Sequence, residues 1–83
     1  MIFYIIIYHD RKYYRYKVDC TEINAREEIY KLTARNKTLI LTNNRPFLKS
    51  KNLKHWKMKW EVEGEIWNQY FLKLIIEAIE KEI

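Results

Sequence analysis

Apolar and polar residues alternate with period two through most of this chain, and that period predicts strands. In residues 13–18, Tyr14, Tyr16 and Val18 fall on one face and Tyr13, Arg15 and Lys17 on the other, the half-buried pattern of an antiparallel strand. Ile2 to Tyr8 is apolar throughout and reads as a buried strand, joined to the next by the polar link His9-Asp10-Arg11-Lys12, which has hairpin length. Glu28 to Ala34 puts Tyr30, Leu32 and Ala34 on one side, and Arg35-Asn36-Lys37 turns the chain into a further strand at Thr38 to Thr42. The competing reading of residues 21–34 is a helix capped by Asp19 or Thr21. It is disfavoured because Ile23, Ile29, Tyr30, Leu32 and Ala34 do not gather on one side at 100° per residue. Thr21 to Glu27 is then a connection or a short helical turn.

The segment from Asn43 to Lys54 is polar and basic, contains Pro46 and Ser50, and reads as a long loop. His55 to Val62 alternates again, with Trp56, Met58, Trp60 and Val62 on a face that predicts burial and Lys57, Lys59 and Glu61 on the other. Gly64 breaks that strand. Glu65 to Ile83 reads as a helix with acids near its start, where the helix dipole favours them. The expected architecture is therefore α+β: one domain over residues 1–83, with an antiparallel sheet of four to five strands and one C-terminal helix packed on it.

That helix is apolar over more than half its circumference, which exceeds what one sheet face needs. A homodimer through the C-terminal helix would cover the excess. So would the long loop, folded over the helix with Phe47, Leu48 and Leu53.

Composition bounds the class. Hydrophobic residues make up 48% of the 83 positions and Gly and Pro appear once each, so the chain carries enough apolar surface to fold. Cys20 stands alone, which excludes an internal disulfide framework and points to a reducing compartment. With two histidines and one cysteine the usual closed set of four zinc ligands cannot be assembled, and no cofactor is expected. The run Ile2–Tyr8 lacks a basic leader and is far shorter than the ~20 residues of a membrane span, and Lys73 and Glu77 interrupt the apolar stretch near the end. The expectation is a cytoplasmic protein without a membrane partner.

Charge changes the picture most. Residues 1–28 balance five basic against five acidic side chains, residues 29–60 carry nine basic and no acidic ones, and residues 61–83 carry six acidic and two basic. The net +5 therefore belongs to one segment, with Lys31, Arg35, Lys37, Arg45, Lys49, Lys51, Lys54, Lys57 and Lys59. The acidic helix lying alongside would neutralise it within the fold; otherwise it is a surface for a polyanion. Tyr13, Arg15 and Lys17 with Lys57 and Lys59 supply outward-facing cations and a ring on strands, the two things that phosphates and unstacked bases require.

Catalytic chemistry has few carriers. Cys20 with His9 or His55 would make a dyad, yet Cys20 follows a strand rather than opening a helix. His9 in the hairpin turn has no partner base or acid in view for a metal-independent ribonuclease. Glu61, Glu63 and Glu65 alternate and would hold Mg²⁺ near Lys57 and Lys59 if the strand continued, although acids at a strand-to-helix junction serve equally to prepare a helix N-terminus. With one glycine there is no phosphate-cradling loop. The expectation is a binding protein and not an enzyme.

The stretch of about residues 30–64, carried by the segments TARNKTLILTNNRPFL and WKMKWEVEGE, resembles small proteins of bacterial and mobile-element genomes, a likeness that brings no activity with it. The order of several strands followed by a helix resembles the coactivator-type single-stranded DNA-binding fold and implies a fold alone. Two functions fit. One is contact with single-stranded nucleic acid, RNA or a ribonucleoprotein through Tyr13, Arg15, Lys17 and the cations of residues 31–59. The other is a phage- or mobile-element-encoded inhibitor of a host defence nuclease, acting by protein–protein binding.

Overall fold

The computed structural model describes residues 1–34, 37–53, 55–64 and 68–83, Ala34 by its backbone only. Five strands, β1 (Ile2–His9), β2 (Lys12–Ile23), β3 (Glu28–Ala34), β4 (Lys37–Asn43) and β5 (Trp60–Gly64), form one antiparallel sheet in the order β1-β2-β3-β4-β5. Helix α1 (Arg45–Ser50) lies between β4 and β5, and helix α2 (Gln69–Glu82) follows. The architecture is α+β, with the C-terminal helix on the sheet, and no helix among the described residues is long and apolar enough to cross a membrane.

The first hairpin closes more tightly than its polar link suggested. His9 pairs with Lys12, leaving Asp10 and Arg11 as a two-residue turn with φ of 51° and 62°. Positive φ at both central positions is the type I′ signature, whose twist matches the strands it joins. The register then sets Ile7 opposite Tyr14 and Ile5 opposite Tyr16, so the buried faces of the two strands coincide. The hairpin β3–β4 is present as the alternation predicted, although the turn residues Arg35 and Asn36 lie outside the described residues.

The inner face of the sheet gathers Ile5 and Ile7 from β1, Tyr16 and Val18 from β2, Tyr30 and Leu32 from β3, and Leu39 and Leu41 from β4. Helix α2 closes this layer with Phe71, Ile75 and Ile79, which recur at four-residue intervals on one side. Asn68 starts the helix: its side-chain oxygen accepts from the backbone N–H of Tyr70 at 2.8 Å and of Phe71 at 3.4 Å. Leu72, Leu74, Ile76, Ala78 and Ile83 are half-buried against the same core. These contacts use part of the helix's apolar breadth, and Tyr70 stays exposed.

Beyond β1, whose Ile2, Tyr4, Ile6 and Tyr8 are exposed rather than buried, and β2, which runs on to Ile23 through part of the expected connection, three expectations need correction. The segment expected to be a loop holds α1, started by Pro46 in the first turn, where its missing N–H costs nothing. Its end is a Schellman motif: Asn52 sits at φ 57°, its N–H donates to the Lys49 carbonyl at 3.2 Å, and the Leu53 N–H donates to the Leu48 carbonyl at 2.8 Å. Leu48 is buried apart from the main core, and Phe47 is exposed, so this segment does not blanket α2.

Secondly, the strand expected from His55 starts only at Trp60. Its neighbour β4 ends at Asn43, the partner of Trp60, so earlier residues find no ladder to join. Trp56 is accordingly 58% exposed rather than buried, and Trp60 is half-buried against the Tyr30 ring at 6.0 Å. Thirdly, helix α2 begins at Gln69 and has no acid in its first turn; Glu65 lies outside the described residues.

Candidate nucleic-acid interface

Helix α2 covers one face of the sheet; over β1–β3 the other face carries no described element, and at its β4–β5 end Phe47 of α1 stands near Thr42 and Glu61. Because side chains alternate along each strand, the register decides which of them share that open face. Tyr4 pairs with Lys17, Ile6 with Arg15 and Tyr8 with Tyr13; Lys17 in turn pairs with Thr33, Asp19 with Lys31 and Lys31 with Ile40. Tyr4, Tyr8, Tyr13, Arg15, Lys17 and Lys31 are all exposed there.

The aromatic part lies toward the hairpin tip. Tyr8 and Tyr13 stand across from each other with centroids 4.8 Å apart and planes tilted by 51°. The Arg15 guanidinium carbon lies 4.4 Å from the Tyr4 ring centroid, in cation–π range. Glu61 and Glu63 occupy the same face at β5, the far edge, so charge grades from basic and aromatic at β1–β3 to acidic at β5. Asp19 tempers Lys31, its cross-strand neighbour.

The remaining cations fall elsewhere. Lys49 and Lys51 are exposed on α1 and at its end, and Lys57 and Lys59 are exposed on the irregular stretch before β5, not on a strand beside Lys17. Lys37 is half-buried at the start of β4, whereas Arg35 and Lys54 lie outside the described residues. Arg45 is committed inward: its Nε and Nη2 donate to the two oxygens of buried Glu28 at 2.8 and 2.7 Å. That hydrogen bond raises the Arg45 pKa, against a smaller opposing effect of desolvation. Burial pushes the nearby Tyr30 phenol well up, and the negative charge of Glu28 adds to the rise. The structure therefore joins Tyr13, Arg15, Lys17 and Lys31 into one surface and leaves Lys49, Lys51, Lys57 and Lys59 as a separate basic group around α1.

Tyr4 and Tyr8 escaped the sequence reading because both faces of β1 are apolar, which conceals which one is outward. Their alternation with Phe3, Ile5 and Ile7 was the available signal. The residues weighed for catalysis do not converge. Cys20 and His9 sit at opposite ends of the β1–β2 hairpin, the one beside Met1 and the other at the turn, and His9 packs instead against Tyr70 and Phe71. Glu61 and Glu63 share the open face of β5, and among the described residues no group of three or more His, Cys, Asp or Glu is placed to hold a metal ion. No family model matches this chain, and neither a curated protein nor a solved structure matches it.

Proposed function

We propose that this protein is a non-enzymatic binding module that takes single-stranded nucleic acid, with RNA the first choice, across the open face of β1–β3. The observation that carries the reading is the juxtaposition of three exposed rings, Tyr4, Tyr8 and Tyr13, with Arg15, Lys17 and Lys31 on a sheet surface that neither α1 nor α2 covers. Unstacked bases gain from flat π surfaces and their phosphates from nearby cations, and a sheet offers both at strand spacing. Among the described residues there is no exposed basic helix of recognition length to enter a major groove: α1 has six residues, and α2 buries its face in the core.

The test is fluorescence anisotropy with a labelled single-stranded RNA, its DNA counterpart and a duplex. Binding to the single strands that weakens steeply with added salt supports the reading, and absence of binding at low salt sinks it. A second reading, a protein inhibitor or adaptor such as an antagonist of a defence nuclease, is favoured by Ile2 and Ile6. They are exposed on the same face and offer nothing to a phosphate.

A further inference from the structure

The two edges of the sheet differ in a way the binding surface does not require. Edge strands expose unpaired backbone groups and are ordinarily blunted by charge, proline, brevity or a bulge. The β5 edge is five residues long, carries Glu61 and Glu63, and ends in Gly64. The β1 edge is eight residues long and has no charged residue before His9, no proline and no bulge.

Which backbone groups β1 leaves free follows from one hydrogen bond. The Cys20 N–H donates to the Met1 carbonyl at 2.8 Å, and these residues stand directly opposite in the register that pairs Ile2 with Asp19. Odd-numbered residues of β1 therefore bond to β2, and the N–H and C=O groups of Ile2, Tyr4, Ile6 and Tyr8 point to the free edge. Beside that edge runs a groove of about 380 Å³ between Tyr4–Tyr8 of β1 and Leu74, Ala78 and Lys81 of α2.

We infer that β1 is a dimerisation strand and that the occupant of this edge and groove is a second copy of the chain, a conclusion independent of the nucleic-acid reading. An antiparallel two-fold with its axis at Ile5 pairs Ile2 with Tyr8 and Tyr4 with Ile6 of the mate, in both directions, and so engages all four free residues at once. Each pair sets an aliphatic chain against a ring. Helix α2 lies over β1 and runs opposite to it, because Phe71 sits at His9, 5.5 Å between rings. The two-fold therefore lays the two helices antiparallel over the seam, where Leu74 and Ala78 of each fill the other's groove. The groove wall also carries Glu77, Lys81 and Glu82, so each Lys81 has acids of the mate's wall to face across the axis. The assembly closes, because it consumes both β1 edges and leaves only the two protected β5 edges. It joins two open faces into one ten-stranded surface.

Sedimentation equilibrium of the nucleic-acid-free protein measures this directly, with a mass of twice 10.4 kDa expected for the wild type. Ile6→Pro removes an N–H that β2 does not use, so the sheet keeps its ladder while the added strand is blocked. Ile6→Lys blunts the edge by charge. Both should halve the mass with unchanged far-ultraviolet circular dichroism. Hydrogen exchange supplies a readout that needs no variant: the amides of Tyr4, Ile6 and Tyr8 should be as protected as those of Phe3, Ile5 and Ile7. A wild type of single-chain mass with fast exchange at Tyr4, Ile6 and Tyr8 overturns the proposal and leaves the groove to an extended peptide of another protein. A dimer whose mass neither variant changes, or a mass that grows without limit, overturns it as well.

Discussion

Arg45 and Glu28, 17 residues apart in the chain, meet as a two-pronged ion pair in which the carboxylate is buried, its side chain 3% exposed, and the guanidinium side chain 38% exposed. The pair fixes α1 to the start of β3, and it makes Arg45 a structural residue although it belongs to the most basic stretch of the sequence. Arg45→Gln should cost about 1–3 kcal/mol, because it strands a buried charged acceptor. That is less than for a fully enclosed pair, since water reaches the guanidinium. Urea unfolding measures it, and adding Glu28→Gln to the same chain should recover part of the loss. A stability unchanged by Arg45→Gln would mean that the carboxylate finds water instead.

Tyr30 is the group whose titration should appear in the stability of the fold. Its phenol is raised in the folded chain, foremost by burial and then by Glu28, so the folded state keeps its proton after the unfolded state begins to lose it near pH ~10. The unfolded state then binds fewer protons, and stability falls as pH rises above that value, while below it this residue contributes no slope. Denaturant titrations between neutral and strongly alkaline pH should show a decline that Tyr30→Phe makes shallower. An identical slope in the two proteins would contradict the assignment.

Gly64 ends β5 at φ 123°, and a Cβ built there would stand 2.7 Å from the Thr38 carbonyl oxygen. Gly64→Ala combines an unfavourable backbone conformation with a collision against backbone that cannot swing away. The expected cost is roughly 1–3 kcal/mol for the conformation alone, read as a fall in the urea midpoint. A neutral Gly64→Ala would show that β5 can end differently.

The two tryptophans of the WKMKW alternation should part company. Trp56→Ala removes an exposed ring and should stay within about 0.5 kcal/mol of wild type. Trp60→Ala removes a half-buried ring packed on Tyr30 and should cost about 2–3 kcal/mol, somewhat less than for a fully buried ring. Thermal melts of the two variants decide the matter, and equal losses would return Trp56 to the core.

For the open face, cations and rings should separate in salt titrations of oligonucleotide binding. Arg15, Lys17 and Lys31 changed together to Gln should reduce the slope of log K against log salt by about 2, the share of three phosphates on a single strand. Tyr4→Ala, Tyr8→Ala and Tyr13→Ala should each cost about 1–3 kcal/mol of affinity with the slope unchanged. Lys49 and Lys51 changed to Gln serve as the contrast on α1. If that change carries the slope instead, the nucleic acid lies across α1 and the open face has another use.

Much of the fold was legible because period-two alternation and the turn chemistry between strands act locally. Tyr14, Tyr16 and Val18 declared their face, and Tyr30 and Leu32 theirs. Alternation alone misled at Trp56, because a strand needs a neighbour, and the neighbour's end at Asn43 is a tertiary fact. α1 was hidden by Pro46, which reads as a breaker in mid-segment and as a helix starter in the first turn. Of the candidate face, Tyr13, Arg15 and Lys17 follow from alternation, whereas Lys31 entered only as a member of the basic segment. Tyr4 and Tyr8 do not follow, since a strand apolar on both sides carries no mark of which side meets solvent. Arg45 could not be told from its free neighbours, because Glu28 lies in a different element.

The meander order has a consequence for how the chain reaches its final state. Every strand pairing joins elements adjacent in sequence, so each can form as a nearby hairpin or short excursion at small entropic cost. The docking of α2 over β1 is the longest-range of these element contacts, and a ribosome releases α2 after every strand. Until then the sheet exists with Ile5, Ile7, Val18 and Leu32 bare to water. The moment of greatest aggregation risk is therefore the interval between completion of β5 and arrival of α2, and a chain stalled there would be an early substrate for chaperones.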